Sequence, residues 1–164
     1  MINRKVLDLL KDEQMPKNKS EFDRLLKSVR KSGANIPKFS FDSMILTQEQ
    51  AIEALSAIKI DPHSSFYFLY SKIQNFPVRR YDELHNLDQI VELKNDGYWD
   101  DEYPGFSNSF LELSSIEGEG SFFYEIKTDH VYDVEFSLMD DFVSGKIKPT
   151  WKSFNEFIEW YYEV

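Results

Sequence analysis

The spacing of apolar positions divides the chain into a helical first part and a strand-rich second part. Ile2, Val6, Leu9 and Leu10 fall at i, i+4, i+7 and i+8, one face of a helix that Pro16 closes. Phe22, Leu25, Leu26 and Val29 make a second helical stripe, with Ser20 as its N-cap and Gly33 as its stop. Residues 36–46 hold Ile36, Pro37, Phe39, Phe41 and the run Met44-Ile45-Leu46, and are read as loop or short strand. Thr47 followed by Gln50 is a capping box, which opens a helix through about residue 58. Asp61-Pro62 opens the next, with Asp as cap and Pro at the first helical position, and Phe66, Leu69, Tyr70 and Ile73 form its buried stripe.

Phe76 to Tyr81 reads as a strand, and Pro77 places it at an edge or a strand start. Asn86 and Gln89 cap a further helix with Leu87, Ile90 and Val91 facing inward and Gly97 at its end. The period then changes. Phe110-Leu111-Glu112-Leu113, Ser121 to Lys127 and His130 to Phe136 read as strands of an antiparallel meander, with Thr128 and Asp129 in the last hairpin turn. Tyr132, Val134 and Phe136 alternate with Asp133 and Glu135, the period of a half-buried strand. Ser153 and Glu156 then box a closing helix whose stripe is Phe154, Phe157, Ile158 and Tyr161, with Trp160 off it. Helices first, a sheet late and a closing helix predict an α+β fold. Residues 1–35 read as an N-terminal helical extension and residues 36–164 as the main domain.

Composition sharpens this picture in three ways. Fourteen Phe, nine Tyr and three Trp supply ring surface for a core and for an interface. The absence of cysteine excludes disulfides, thiolate metal sites and a thiol nucleophile. Charge is divided unevenly along the chain. Residues 1–80 hold 14 Lys+Arg against 9 Asp+Glu, a net of +5, whereas residues 81–164 hold 5 against 20, a net of −15. Such a second half repels nucleic acid and anionic lipid and attracts basic partners. Asp8 and Lys11 interrupt the first apolar run, so it does not form a signal-peptide core, and no stretch of about 18 apolar residues occurs. The expected location is the cytoplasm, away from membranes.

Candidate chemistry is sparse. His63, His85 and His130 are scattered, without a partner at metal-ligand spacing. Gly118-Glu119-Gly120 starts like a phosphate-binding loop, but it lacks the later glycine, precedes a strand and carries acids that would repel phosphate. Asp100-Asp101-Glu102 and Asp140-Asp141 could hold a divalent cation or act as acid and base, and read more simply as solvated acidic loops. No G-x-S-x-G occurs. No cofactor is expected.

One stretch stands out for binding. Gly97-Tyr98-Trp99-Asp100-Asp101-Glu102-Tyr103-Pro104-Gly105 places three aromatics and three adjacent acids between two glycines. Tyr and Trp give large contact area at low entropic cost, and the acids steer a basic partner. The competing reading is a loop whose rings simply cover the core.

From about Ile58 onward the order of motifs resembles the SUKH superfamily. Ile60-Asp61-Pro62 leading into Phe66-Tyr67-Phe68-Leu69-Tyr70 is similar to the family's proline-started helix. Tyr81-Asp82-Glu83-Leu84 through Val91-Glu92-Leu93 resembles its strand-to-helix segment. Phe110 to Tyr124, with Gly118 and Gly120, is similar to its strand pair, His130-Val131-Tyr132-Asp133-Val134 to the strand after it, and Lys152-Ser153-Phe154-Asn155-Glu156-Phe157-Ile158 to its closing helix. Asp61-Pro62 and Gln74-Asn75-Phe76 stand where the family has Leu-Pro and Asn-Gly-Gly. The resemblance implies a small α+β domain with a mixed, mainly antiparallel sheet, no catalytic residues, and a bacterial immunity protein that neutralises a cognate toxin. A nuclease toxin carries Lys and Arg to hold phosphates, so an acidic inhibitor can occupy the same surface. The residues expected at that contact are Tyr98, Trp99, Asp100, Asp101, Glu102 and Tyr103, with Glu117, Glu119 and Asp129 beside them. Two other readings stay open: an intracellular scaffold or regulator, and a small metal-assisted hydrolase using the paired acids.

Overall fold

In the computed structural model the described residues are 1–13, 46–74, 76–80, 82–114 and 118–164, with Asp23, Arg24, Lys27, Lys31 and Gly33. The second helical stripe and the segment around Phe39 lie outside them. The described helices are α1 (Arg4–Glu13), α2 (Gln48–Ala57), α3 (Ser65–Tyr70), α4 (Leu87–Asp96), α5 (Met139–Val143) and α6 (Phe154–Tyr162). The strands are β1 (Phe110–Glu112), β2 (Gly120–Glu125) and β3 (Val131–Glu135), and they form an antiparallel meander in the order β1-β2-β3. The fold is α+β. Isolated antiparallel bridges, Leu84 with Ser114 and Val131 with Trp151, widen the sheet by one residue on either side. Every pairing among the described residues is antiparallel, so the parallel part of the expected mixed sheet is not among them.

Helix starts follow side-chain oxygens. At Thr47 both halves of the expected capping box are made: its hydroxyl accepts from Gln50 N–H at 3.1 Å, and the Gln50 side-chain oxygen Oε1 accepts from Thr47 N–H at 2.9 Å. Asn86 and Gln89 form the same box at α4, which ends on Gly97 in the left-handed conformation (φ 63°). At α3 the start lies later than expected. Asp61 closes a turn by accepting from His63 N–H at 2.9 Å, and Ser64 is the cap, accepting from Tyr67 N–H at 3.0 Å. The stripe Phe66, Leu69, Tyr70 and Ile73 is buried as expected. Phe76 to Arg80 are not assigned to a strand, and the nearest sheet pairing that follows is the isolated bridge at Leu84. The short helix α5 has no forerunner in the sequence reading.

The sheet carries a core on each face. Leu111, Leu113, Phe122, Tyr124 and Val131 face the larger one with α1, α2, α3, α4 and α6. Phe66 stacks on Tyr124 at 4.3 Å between ring centroids, and Phe122 meets Phe157 edge-on at 5.1 Å. Ile2, just before α1, and Val6 and Leu10 within it are buried in this same cluster. Phe123, Tyr132 and Val134 face the smaller core, closed by Phe106, Met139 and Phe142. Strand β2 is therefore covered on both sides, and Ser121, Phe122, Phe123 and Tyr124 are all buried. Gly120 is required at its start: a Cβ there would lie 2.5 Å from the Val134 carbonyl oxygen, closer than any side chain allows.

Candidate functional site

The stretch Gly97–Gly105 runs from the end of α4 into a 3-10 turn at Phe106–Asn108, which leads directly into β1. Both flanking glycines are left-handed, Gly97 at φ 63° and Gly105 at φ 82°. Between them the backbone closes on itself: Asp100 N–H donates to the Gly97 carbonyl at 2.9 Å and Tyr103 N–H to the Trp99 carbonyl at 2.8 Å. The loop is thus a built turn, with its side chains divided between core and solvent.

Trp99 belongs to the core side. Its ring packs on Phe136 at 5.2 Å and on Phe106 and Phe123 at 6.3 Å, and its indole Nε1–H donates to Glu112 Oε2 at 3.0 Å. Asp100 is also turned inward, where its carboxylate accepts from Ser107 N–H at 3.2 Å and from the Ser107 hydroxyl. It caps the 3-10 turn in the manner of an N-cap residue. The outward set is Tyr98, 56% exposed, with Asp101 and Glu102. Tyr98 stands edge-on to Trp99 at 5.1 Å, so the exposed ring rests on a fixed one.

Tyr103 links this loop to a second acidic segment. Its hydroxyl donates to Asp140 Oδ1 at 2.8 Å, at the start of α5. The Asp140 carboxylate accepting that bond, helped by partial burial and by Glu102, pushes the phenol up to about 12, so the hydroxyl keeps its proton at neutral pH. Two acidic stretches 37 residues apart in sequence are thereby held side by side. Asp141 next to it binds Lys146 Nζ at 2.9 Å, which offsets one of the charges.

The remaining expected residues are dispersed. Glu119 is exposed at the start of β2, and its carbonyl accepts from Phe136 N–H at 2.8 Å, the residue whose ring lies on Trp99. Asp129 is at the opposite end of the β2-β3 hairpin in the left-handed conformation (φ 64°). Its carboxylate accepts from the Tyr124 hydroxyl at 3.0 Å and from Phe154 N–H at 3.3 Å, tying the hairpin turn to the start of α6. Burial raises its pKa against those two bonds. Glu117 lies outside the described residues.

Two participants went unforeseen in the sequence. Asp140 was read as solvated loop, and only the tertiary fold brings it to Tyr103. Glu112 was read simply as a residue of β1, yet it is 6% exposed and supplies the acceptor for Trp99. Burial pushes its carboxyl up to about 7, opposed by the Trp99 bond and by the nearby Ser121 hydroxyl. Among the described residues its Oε1 has no hydrogen-bond partner, and no three His, Asp or Glu side chains converge as a metal site would require.

No family model, curated protein or solved structure matches the chain.

Proposed function

We propose that the chain is a binding protein for a basic protein partner, an immunity protein that blocks a cognate toxin, with a nuclease as the toxin class its charge suits best. The observation that carries this reading is the Tyr103–Asp140 hydrogen bond, which brings Asp140 to the same ring as Glu102, on the loop that also exposes Tyr98. A loop that exposes an aromatic ring and carries carboxylates is what a Lys- or Arg-rich surface needs: ring area for contact, and negative charge for steering. Trp99 and Asp100 serve this surface from below, by fixing the loop that presents Tyr98. The net charge of −15 over residues 81–164 extends the attraction beyond the contact. The motif order resembling the SUKH superfamily, together with the α+β fold, is compatible with the same role.

The test is binding to the C-terminal domain of whichever large polypeptide is found encoded beside this gene, measured across salt concentrations. Tight, salt-weakened association with loss of the partner's toxicity is expected. Reversing Asp101 and Glu102 to Lys should slow association by about tenfold or more at low salt and flatten its salt dependence. Unchanged rates would remove this loop from the interface. No binding at all, with both proteins folded, would favour a scaffold that meets a different protein.

A further inference from the structure

Glu112 is a carboxyl group buried at the sheet, 6% exposed. It projects from β1 into the smaller core, where its register partner is Phe123, and its carboxylate accepts from the Trp99 indole and is favoured in its charged form by the Ser121 hydroxyl. A small cavity of about 10 Å³ adjoins it between α4, the Gly97–Gly105 loop and β1, with Lys94, Tyr98 and Phe110 on its wall. Trp99 is the only residue of the loop that bonds to Glu112, and left-handed glycines flank the loop at both ends. Backbone hinges, an aromatic bolt and a buried acid keeper thus stand in series.

The charged neighbours do not neutralise the keeper. Lys94 on α4 donates to the Ser107 carbonyl and Asp100 on the loop accepts from Ser107. Tyr103 and Asp140 bond to each other, Asp141 on α5 pairs with Lys146, and Tyr132 on β3 donates to Glu125 at the far end of β2. Tyr98 on the loop and the Ser121 hydroxyl on β2 complete the surroundings. None of these forms an ion pair with Glu112. An ionised carboxylate here lacks a counter-charge and leaves one oxygen unsatisfied, whereas a protonated one loses little, because its carbonyl still accepts from the indole.

We propose that Glu112 is a proton-operated latch on the Gly97–Gly105 loop: protonated, it stays buried under Trp99 and the loop stays docked; ionised, it draws water in and the loop swings out on its glycines. Its ionisation near neutral pH places the transition in the physiological range. If opening restores the ordinary carboxyl value of about 4.5, linkage makes the open form roughly tenfold more populated at pH 8 than at pH 6. That this loop is the partner-binding surface rests on the reading above, and the latch itself does not.

The test therefore uses the free chain. Hydrogen exchange of the Trp99 indole, corrected for intrinsic base catalysis and referenced to the Phe123 amide, should accelerate roughly tenfold between pH 6 and pH 8. Glu112→Gln, which still accepts from the indole and cannot ionise, should abolish the acceleration. A wild-type loop whose protection ignores pH, or a Gln variant that keeps the same response, would overturn the latch. Should the Gln variant fail to fold, Trp99→Phe serves instead. It removes the donor and leaves the acid, so the Glu112 side-chain NMR titration should move upward, and an unmoved or lowered midpoint sinks the proposal. A pH-insensitive loop that still captures the basic partner defeats the latch alone. A responsive loop with no partner defeats the functional reading alone.

Discussion

Glu112 sits in the run Phe110-Leu111-Glu112-Leu113, where strict alternation assigns it to the solvent face of a strand. The alternation is real, since Leu111 and Leu113 face the larger core. What the pattern lacks is the second core on the other face, built from residues as distant as Phe106, Tyr132 and Phe142. A polar position in a strand announces solvent only when one face is wet. The same blind spot covers Trp99, whose sequence neighbourhood suggested an exposed binding ring and whose environment is largely a core. Tyr98, Asp101 and Glu102 beside it were legible as a surface, because nothing among the described residues covers them. Burial of Glu112 also fixes a sign for stability. Its folded-state pKa of about 7 lies above the ordinary 4.5, so stability is fully present below about 4.5 and is lost as pH rises through about 7. Urea unfolding should show Glu112→Gln indistinguishable from wild type near pH 4 and more stable near pH 9, by up to about 3 kcal/mol. Equal stabilities at high pH would mean that the carboxyl ionises without penalty.

Among the elements, those with a cap written in the sequence were found where the cap is. Thr47, Asn86 and Ser153 each precede their helices as expected, because a side-chain oxygen three residues from its target amide is a local signal that tertiary contacts rarely override. Helix α3 shows two such signals in competition. Asp61-Pro62 suits a helix start and so does Ser64, and the structure uses the first for a turn and the second for the cap. Ser64→Ala should therefore cost about 1 kcal/mol in thermal or urea unfolding, and Asp61→Ala distinctly less. The reverse order would put the functional cap at Asp61. The missing strand near Val78 has a different cause. Its residues have strand composition, but Val78 is half exposed and Arg80 turns to Trp160, its guanidinium 4.5 Å over the ring while it pairs with Glu163. Pairing partners, unlike propensities, are not written locally. Helix α5 was missed because Asp140-Asp141 masks an apolar pair, Met139 and Phe142, spaced for one short turn.

For the molecule as a whole, acidity is both the proposed means of recognition and a strain on the fold. Burial first, then Asp82 and Glu135, raises the pKa of Asp133, and burial raises that of Asp82, so carboxylates on this side of the sheet resist full ionisation. Screening should relieve the repulsion. The melting temperature should rise by a few degrees between about 0.01 M and about 0.15 M salt, while affinity for a basic partner falls over the same range. A melting point that ignored salt would mean that the basic residues already neutralise the field locally. No helix among the described residues is long and apolar enough to cross a membrane.

The larger core draws on both ends of the described chain. Ile2, Val6 and Leu10 at one end meet a cluster completed by Phe154, Phe157, Ile158 and Tyr161 at the other, and Tyr161 also donates to the Asp82 carbonyl at 2.9 Å. A ribosome delivers these parts in sequence. At about 5–20 residues per second, the apolar face of the first helix emerges roughly 10–30 s before the rings that will cover it. During synthesis that face lacks the rings of α6, so its burial is completed only when the last helix arrives.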